Sequence, residues 1–282
     1  MVDRLESLLA RFPVSGRVLH AHPLQGTYRP AGATEHALLH LIRGGPASAT
    51  HGNGAVLPLH EPSLLLYPRP VPHTLHADRD SHAQVISAQL HFDGGEGSPV
   101  ADALPLPVHL PLRALWGSDA LLDLLFEETP AQRCGRQALL DSLLQALLVQ
   151  LLRTLMENGQ IQIGLLAGMG HPRLRHALVA MHEQPAHDWS LQALAERAGM
   201  SRSAFAETFR EVIGSTPGHY LQGWRTRLVQ QALRRGQPLK RIATEVGYGS
   251  EAALSRAFKA QTGHSPRQWK QRMAVPATSP SP

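Results

Sequence analysis

The chain has 282 residues, of which 43% are apolar, a single cysteine, and a formal net charge of +5. That length suits about two domains. No run of about 18 apolar residues suggests a membrane span, no apolar core near the start suggests a secretion signal, and the lone Cys134 excludes a disulfide framework or a Cys-based zinc site within one chain. The charge is unevenly divided: residues 171–282 hold 16 Lys and Arg against 7 Asp and Glu, net +9, whereas residues 1–170 hold 11 against 15, net −4. A basic half joined to an acidic half suggests that one half meets a polyanion.

Residues 20–108 alternate short apolar runs with turn residues. The runs Arg17–His20, His36–Arg43, Ala55–Leu59, Ser63–Tyr67 and Ala83–Phe92 are separated by Arg43-Gly44-Gly45-Pro46, Gly52-Asn53-Gly54 and Asp93-Gly94-Gly95. Short strands with this punctuation predict a β-sandwich or small barrel, here over residues 1–117. From Ser118 the pattern becomes helical. Ser118 or Asp119 caps a helix to Glu128, and Pro130 breaks it. A second helix is predicted from Arg136 to Glu157, with Leu139, Leu140, Leu143, Leu144, Leu147, Leu148, Leu151, Leu152 and Leu155 on one broad stripe. Such a stripe packs on its own domain or forms a dimer seam. Asn158-Gly159 ends it, so residues 118–158 are expected to form a helical extension, with a Gly-rich linker at 159–171. The composition of 274–282 predicts a disordered tail.

Residues 172–273 are predicted to be all helical, and they repeat. Leu191-Gln-Ala-Leu-Ala-Glu-Arg-Ala-Gly199 aligns with Leu239-Lys-Arg-Ile-Ala-Thr-Glu-Val-Gly247 at an offset of 48, which becomes 49 for Phe209 with Phe258, Gly214 with Gly263, Thr216-Pro217 with Ser265-Pro266, and Tyr220 with Trp269. Each copy reads as helix, tight turn, helix. Ser190 caps the first helix, Gly199 stops it, and Ser201 caps the next, on which Phe205, Phe209 and Ile213 share a face. In the second copy Gly247, Ser250, Leu254 and Phe258 take the same parts. This is helix-turn-helix grammar. Thr216-Pro217 is an N-cap followed by proline, and it opens a long connecting helix to about Arg235.

The stretches Gly247-Tyr-Gly-Ser-Glu-Ala-Ala-Leu-Ser-Arg-Ala-Phe-Lys259 and Thr262-Gly-His-Ser-Pro-Arg-Gln-Trp-Lys270 resemble the signature of the AraC/XylS family of regulators. The resemblance implies a cytoplasmic, sequence-specific DNA-binding regulator that acts as a homodimer on double-stranded promoter DNA, with RNA polymerase as a further contact. It also implies that each second helix enters the major groove. In the family pattern Ser203, Ala206 and Glu207, and likewise Glu251, Ala252, Ser255 and Arg256, face bases. Arg256 suits guanine, and Glu207 or Glu251 suits the cytosine amino group. Ser201, Arg202, Arg210, Ser250 and Lys259 suit phosphates.

Leu64-Leu-Leu-Tyr-Pro-Arg-Pro-Val-Pro-His73 resembles the second motif of the cupin-type sensor domain found in one AraC subgroup, with Pro70 where glycine is common. The expected fold class is therefore α+β multidomain: a cupin-like β-barrel with a helical extension, then an all-α domain with two helix-turn-helix units. The resemblance implies an effector. His20, His22, His40, His73, His76 and His91 are its candidate ligands, and if they converge they suit zinc, copper or nickel. Histidines there also suit a pH sensor, and a small organic effector in an apolar pocket is the other reading. Cupin-type regulators that sense oxidants use cysteines in this domain, which this chain lacks. The competing function is a metal-dependent cupin enzyme carrying an accessory helical domain. The absence of a recognisable first cupin motif before Gly44 argues against it, and the primary expectation is a non-enzyme.

Overall fold

The computed structural model describes residues 3–158, 161 and 163–274. The predicted helix stop at Gly159 and residues 275–282 of the predicted tail lie outside them, as does the side chain of His20. The chain divides into two compact units, residues 12–96 with 100–161, and residues 1–11 with 97–99 and 162–282.

The first unit is a two-sheet β-sandwich of nine strands among the described residues. One sheet has the order β1 (Val14–Pro23), β8 (Gln84–Phe92), β3 (Ala37–Arg43), β6 (Ser63–Tyr67), β9 (Val108–Pro111); the other runs β2 (Gly26–Tyr28), β7 (His73–Ala77), β4 (Ala47–His51), β5 (Val56–Leu59). All pairings are antiparallel. The five predicted strands are present. Four more are found that the apolar pattern does not reveal: β2 is short, β4 is built from small and polar residues, and β7 and β9 sit beside prolines.

β6 is buried along its whole length and β3 up to Arg43, so both faces of this sheet are covered. That explains their near-continuous apolar runs in place of a two-residue alternation. Ile42, Leu65, Leu75, Ala49 and Val85 form the core between the sheets. Behind the first sheet lie α3 (Asp119–Glu128) and α4 (Arg136–Glu157), close to the predicted bounds. Leu140, Leu144, Leu147, Leu148, Leu151, Leu152 and Leu155 are buried, whereas Leu139 is 39% exposed. α4 packs on β1 at Gly16, where an added Cβ would overlap Leu144 and come within 2.7 Å of Leu90. By length and composition α4 is apolar enough to cross a membrane, yet its leucine face is this unit's core.

The second unit is helical. Its elements are α1 (Glu6–Arg11), α5 (Leu165–Gly170), α6 (Leu174–Glu183), α7 (Leu191–Arg197), α8 (Arg202–Ile213), α9 (Pro217–Arg234), α10 (Leu239–Glu245), α11 (Glu251–Thr262) and α12 (Pro266–Ala274), while the short α2 (Pro99–Ala103) belongs, beyond its first residue, to the first unit. α1 packs on α6, with Leu8 fully buried and Arg11 donating to the Glu183 carbonyl at 3.2 Å. One expectation is corrected here. The stretch 159–171, expected as a linker, contains α5. Its glycine content reflects close packing, because a Cβ on Gly168 would overlap Ile213 and reach Leu178 Cδ1 at 2.6 Å.

Candidate nucleic-acid interface

α7 with α8, and α10 with α11, form two copies of one helix-turn-helix. The repeat extends to individual hydrogen bonds. Met200 N donates to Ala195 O at 2.9 Å, and Tyr248 N to Ala243 O at 2.8 Å. Gly214 N donates to Arg210 O, and Gly263 N to Lys259 O, both at 2.9 Å. The turn glycines are left-handed, φ +62° at Gly199 and +83° at Gly247, a conformation in which a Cβ is penalised. At Gly247 a Cβ would also press on Ala186 O at 2.6 Å, whereas Gly199 faces open space.

The second helix of each copy is capped alike. Ser201 Oγ accepts from Ala204 N at 3.3 Å, and Ser250 Oγ accepts from Ala253 N at 3.1 Å. A hydroxyl accepting in a cap still has its hydrogen to donate outward, which suits the predicted phosphate role. Phe205, Phe209, Leu254 and Phe258 anchor the two helices in the core. The opposite faces are open. Arg202, Ser203, Glu207 and Arg210 on α8 are exposed, with Ala206 half-buried; on α11 Glu251, Ala252, Arg256 and Lys259 are exposed, with Ser255 half-buried. All twelve predicted contact residues thus fall on two matching, solvent-facing surfaces. A hollow of about 780 Å³ beside α8, between Trp189, Leu194 and Pro217, was not foreseen.

Behind the first copy, His182 is fully buried and stacked on Trp224 at 3.8 Å, with Nε2 2.7 Å from the Tyr220 hydroxyl. Burial, aided by the Arg11 and Arg227 charges, pushes its pKa down to about 3. It is a neutral core residue.

In the β-sandwich the five candidate histidines whose side chains are described do not converge. His40 and His73 meet, with Nε2 to Nε2 at 2.9 Å, both buried. The others lie apart. His76 is exposed on the opposite face of β7, 3.1 Å from Thr27 Oγ1; His22 bonds the Pro23 carbonyl; exposed His91 lies within β8. His36, the first residue of the predicted run His36–Arg43, precedes β3. Among the described residues no three His, Cys, Asp or Glu side chains form a metal-ligand set. The pair has partners that the sequence did not single out. Ser87 Oγ lies 2.9 Å from His40 Nδ1, Tyr67 stacks on His73 at 3.8 Å, and the Tyr67 hydroxyl lies 3.1 Å from His51 Nε2. Burial lowers the pKa of His73, with His51 adding to the effect against the raising influence of the Val71 carbonyl. Ser87 was legible in principle, because it lies directly across from His40 in the β3–β8 register.

A two-sheet cupin sandwich followed by a tandem helix-turn-helix unit defines the architecture of an AraC-type transcriptional regulator. Residues 3–157 match the family described as cupin, and residues 194–272 match a helix-turn-helix domain. The HTH-type transcriptional regulator AlkR of Acinetobacter baylyi is 35% identical over 195 residues, 67% of this chain and 64% of the relative. An AraC-like transcription regulator of Streptomyces antibioticus is 36% identical over 173 residues, 60% of this chain and 57% of the relative. The RCS-specific HTH-type transcriptional activator RclR of Escherichia coli is 28% identical over 252 residues, 86% of this chain and 88% of the relative. The chain thus spans less than two thirds of the length of the first two relatives. The chain belongs to the family described as cupin, and its helical unit carries a helix-turn-helix domain.

Proposed function

We propose that this protein is a cytoplasmic, non-enzymatic regulator that binds promoter DNA sequence-specifically under the control of a small-molecule effector. The observation that carries the reading is the pair of capped helices, α8 and α11, presenting equivalent open faces from a unit with a net positive charge. A helix of this kind fits the major groove, and two on one rigid unit fit adjacent turns of the duplex. The twelve exposed or half-exposed side chains on those faces would divide between phosphate positioning and base reading, with Arg256 as the guanine reader.

On this reading the effector acts on the cupin unit. The buried polar group of His40, His73, Ser87 and Tyr67 within an apolar core supports a recognition point there. An effector must bind one state of the protein better than the other to shift their populations. Homodimerisation through the outward side of α4 is part of the same proposal, supported by exposed Leu139 and half-buried Leu143 on that side.

Footprinting on a duplex selected from a randomised pool tests the reading. Protection of major-groove segments about 34 Å apart on one face of the duplex is expected, with affinity falling steeply as salt rises. Protection without sequence preference would overturn it.

A further inference from the structure

We infer that the two helix-turn-helix copies divide the work on DNA unequally: the second copy with α12 carries the guanine reader Arg256 and the larger electrostatic anchor, and the first adds selection by rejection, with Glu207 as its selecting residue. The inference rests on the DNA-binding reading and goes beyond it.

The copies match in backbone but not in charge. Residues 189–225 hold four Lys and Arg against three Glu; the corresponding residues 238–274 hold seven against two. In the second copy Arg256 and Lys259 on α11, and Arg267, Lys270 and Arg272 on α12, are all exposed. Of its two acids, Glu245 is already paired, 2.7 Å from Arg241 Nε. Attraction to phosphates scales with the cations that displace counterions, so this copy contributes more of it than the first. In the first copy Glu207 and Glu211 stand one turn apart on α8, both exposed, and offset Arg202 and Arg210. Their field opposes any phosphate backbone that approaches.

Glu207 lies on the predicted base-reading face. An ionised carboxylate only accepts hydrogen bonds. In the major groove cytosine N4 and adenine N6 offer hydrogens, whereas guanine N7 and O6 and thymine O4 offer only lone pairs. Glu207 therefore penalises a guanine or thymine edge facing it and tolerates a cytosine or adenine edge there, which is specificity by rejection.

The test is fluorescence anisotropy of the full chain, across a salt series, on the duplex selected from a randomised pool and on random duplex. The double variant Arg267→Gln/Lys270→Gln is expected to lower the salt slope by about two and to weaken both duplexes alike. Arg202→Gln/Arg210→Gln is expected to lower the slope by less than one. Glu207→Gln is expected to tighten random duplex at least about threefold and to shrink the preference for the selected one. All these side chains are exposed, and unchanged melting curves would confirm intact folding. Equal slope losses from the two double variants, or unchanged or weaker random binding by Glu207→Gln, would overturn the inference alone. A wild-type chain with no salt-dependent DNA binding would overturn it together with its parent reading.

Discussion

Nε2 of His40 and Nε2 of His73 face each other across 2.9 Å in the core of the cupin unit, and this contact dictates where their protons sit. His73 Nδ1 lies 2.7 Å from the Val71 carbonyl, which can only accept, so that nitrogen carries a hydrogen. Neutral His73 then accepts at Nε2, His40 donates there, and His40 Nδ1 is left to accept from Ser87. A proton added to His73 Nε2 would put two N–H groups head to head.

Breaking one side of this chain is expected to cost more than removing both. His73→Phe keeps a ring against Tyr67 but strands the buried His40 N–H, a loss of about 1–3 kcal/mol. Adding His40→Leu should recover much of it, because both polar partners are then gone. Hydrogen-exchange protection of β3 and β7 peptides reads the cycle; additive losses would show that the contact contributes little. Because burial lowers the His73 pKa, the neutral form is favoured in the folded state, so its contribution is present above the ordinary histidine range and is lost as pH falls below it.

The two turn glycines provide a matched comparison. Gly199→Ala meets only the left-handed backbone penalty, about 1–2 kcal/mol, since nothing lies near its added carbon. Gly247→Ala adds a clash with the Ala186 backbone, and a substantially larger loss is expected from urea melts of the helical unit. Equal losses would contradict the packing described at Ala186.

His182 makes the helical unit acid-sensitive. Its pKa falls from 6.5 to about 3 on folding, so the unfolded chain takes up the proton first and stability drops as pH passes below 6.5. At pH 5 the loss amounts to about 2 kcal/mol relative to neutral pH. His182→Phe, which keeps a ring beside Trp224, should flatten that slope. Trp224 fluorescence during urea titrations at pH 7 and pH 5 measures it, and an unchanged slope would assign the acid sensitivity elsewhere.

The helical half was the more readable because its signals are local. Ser201, Gly214 and Thr216-Pro217 each announce a cap or a stop within a few residues, and the second copy repeats them. The strands β4 and β7 were hidden because their register depends on distant partners: Ala47-Ser-Ala-Thr-His51 becomes a strand only by pairing with Val56–Leu59 and His73–Ala77. The histidine positions were visible but their directions were not. His73 and His76 are three residues apart and therefore point to opposite faces of one strand. Glycines misled at 164–170, where small size serves close helix packing, a property that sequence spacing alone does not separate from flexibility.

Helix α9 is unbroken over 18 residues, a rod of about 27 Å at 1.5 Å per residue. On the proposed reading it is a calliper between the two helix-turn-helix copies. A duplex that gained five base pairs between its two contact segments would then turn one of them to the far side. The proposal therefore expects target duplexes to vary in letters far more freely than in pitch.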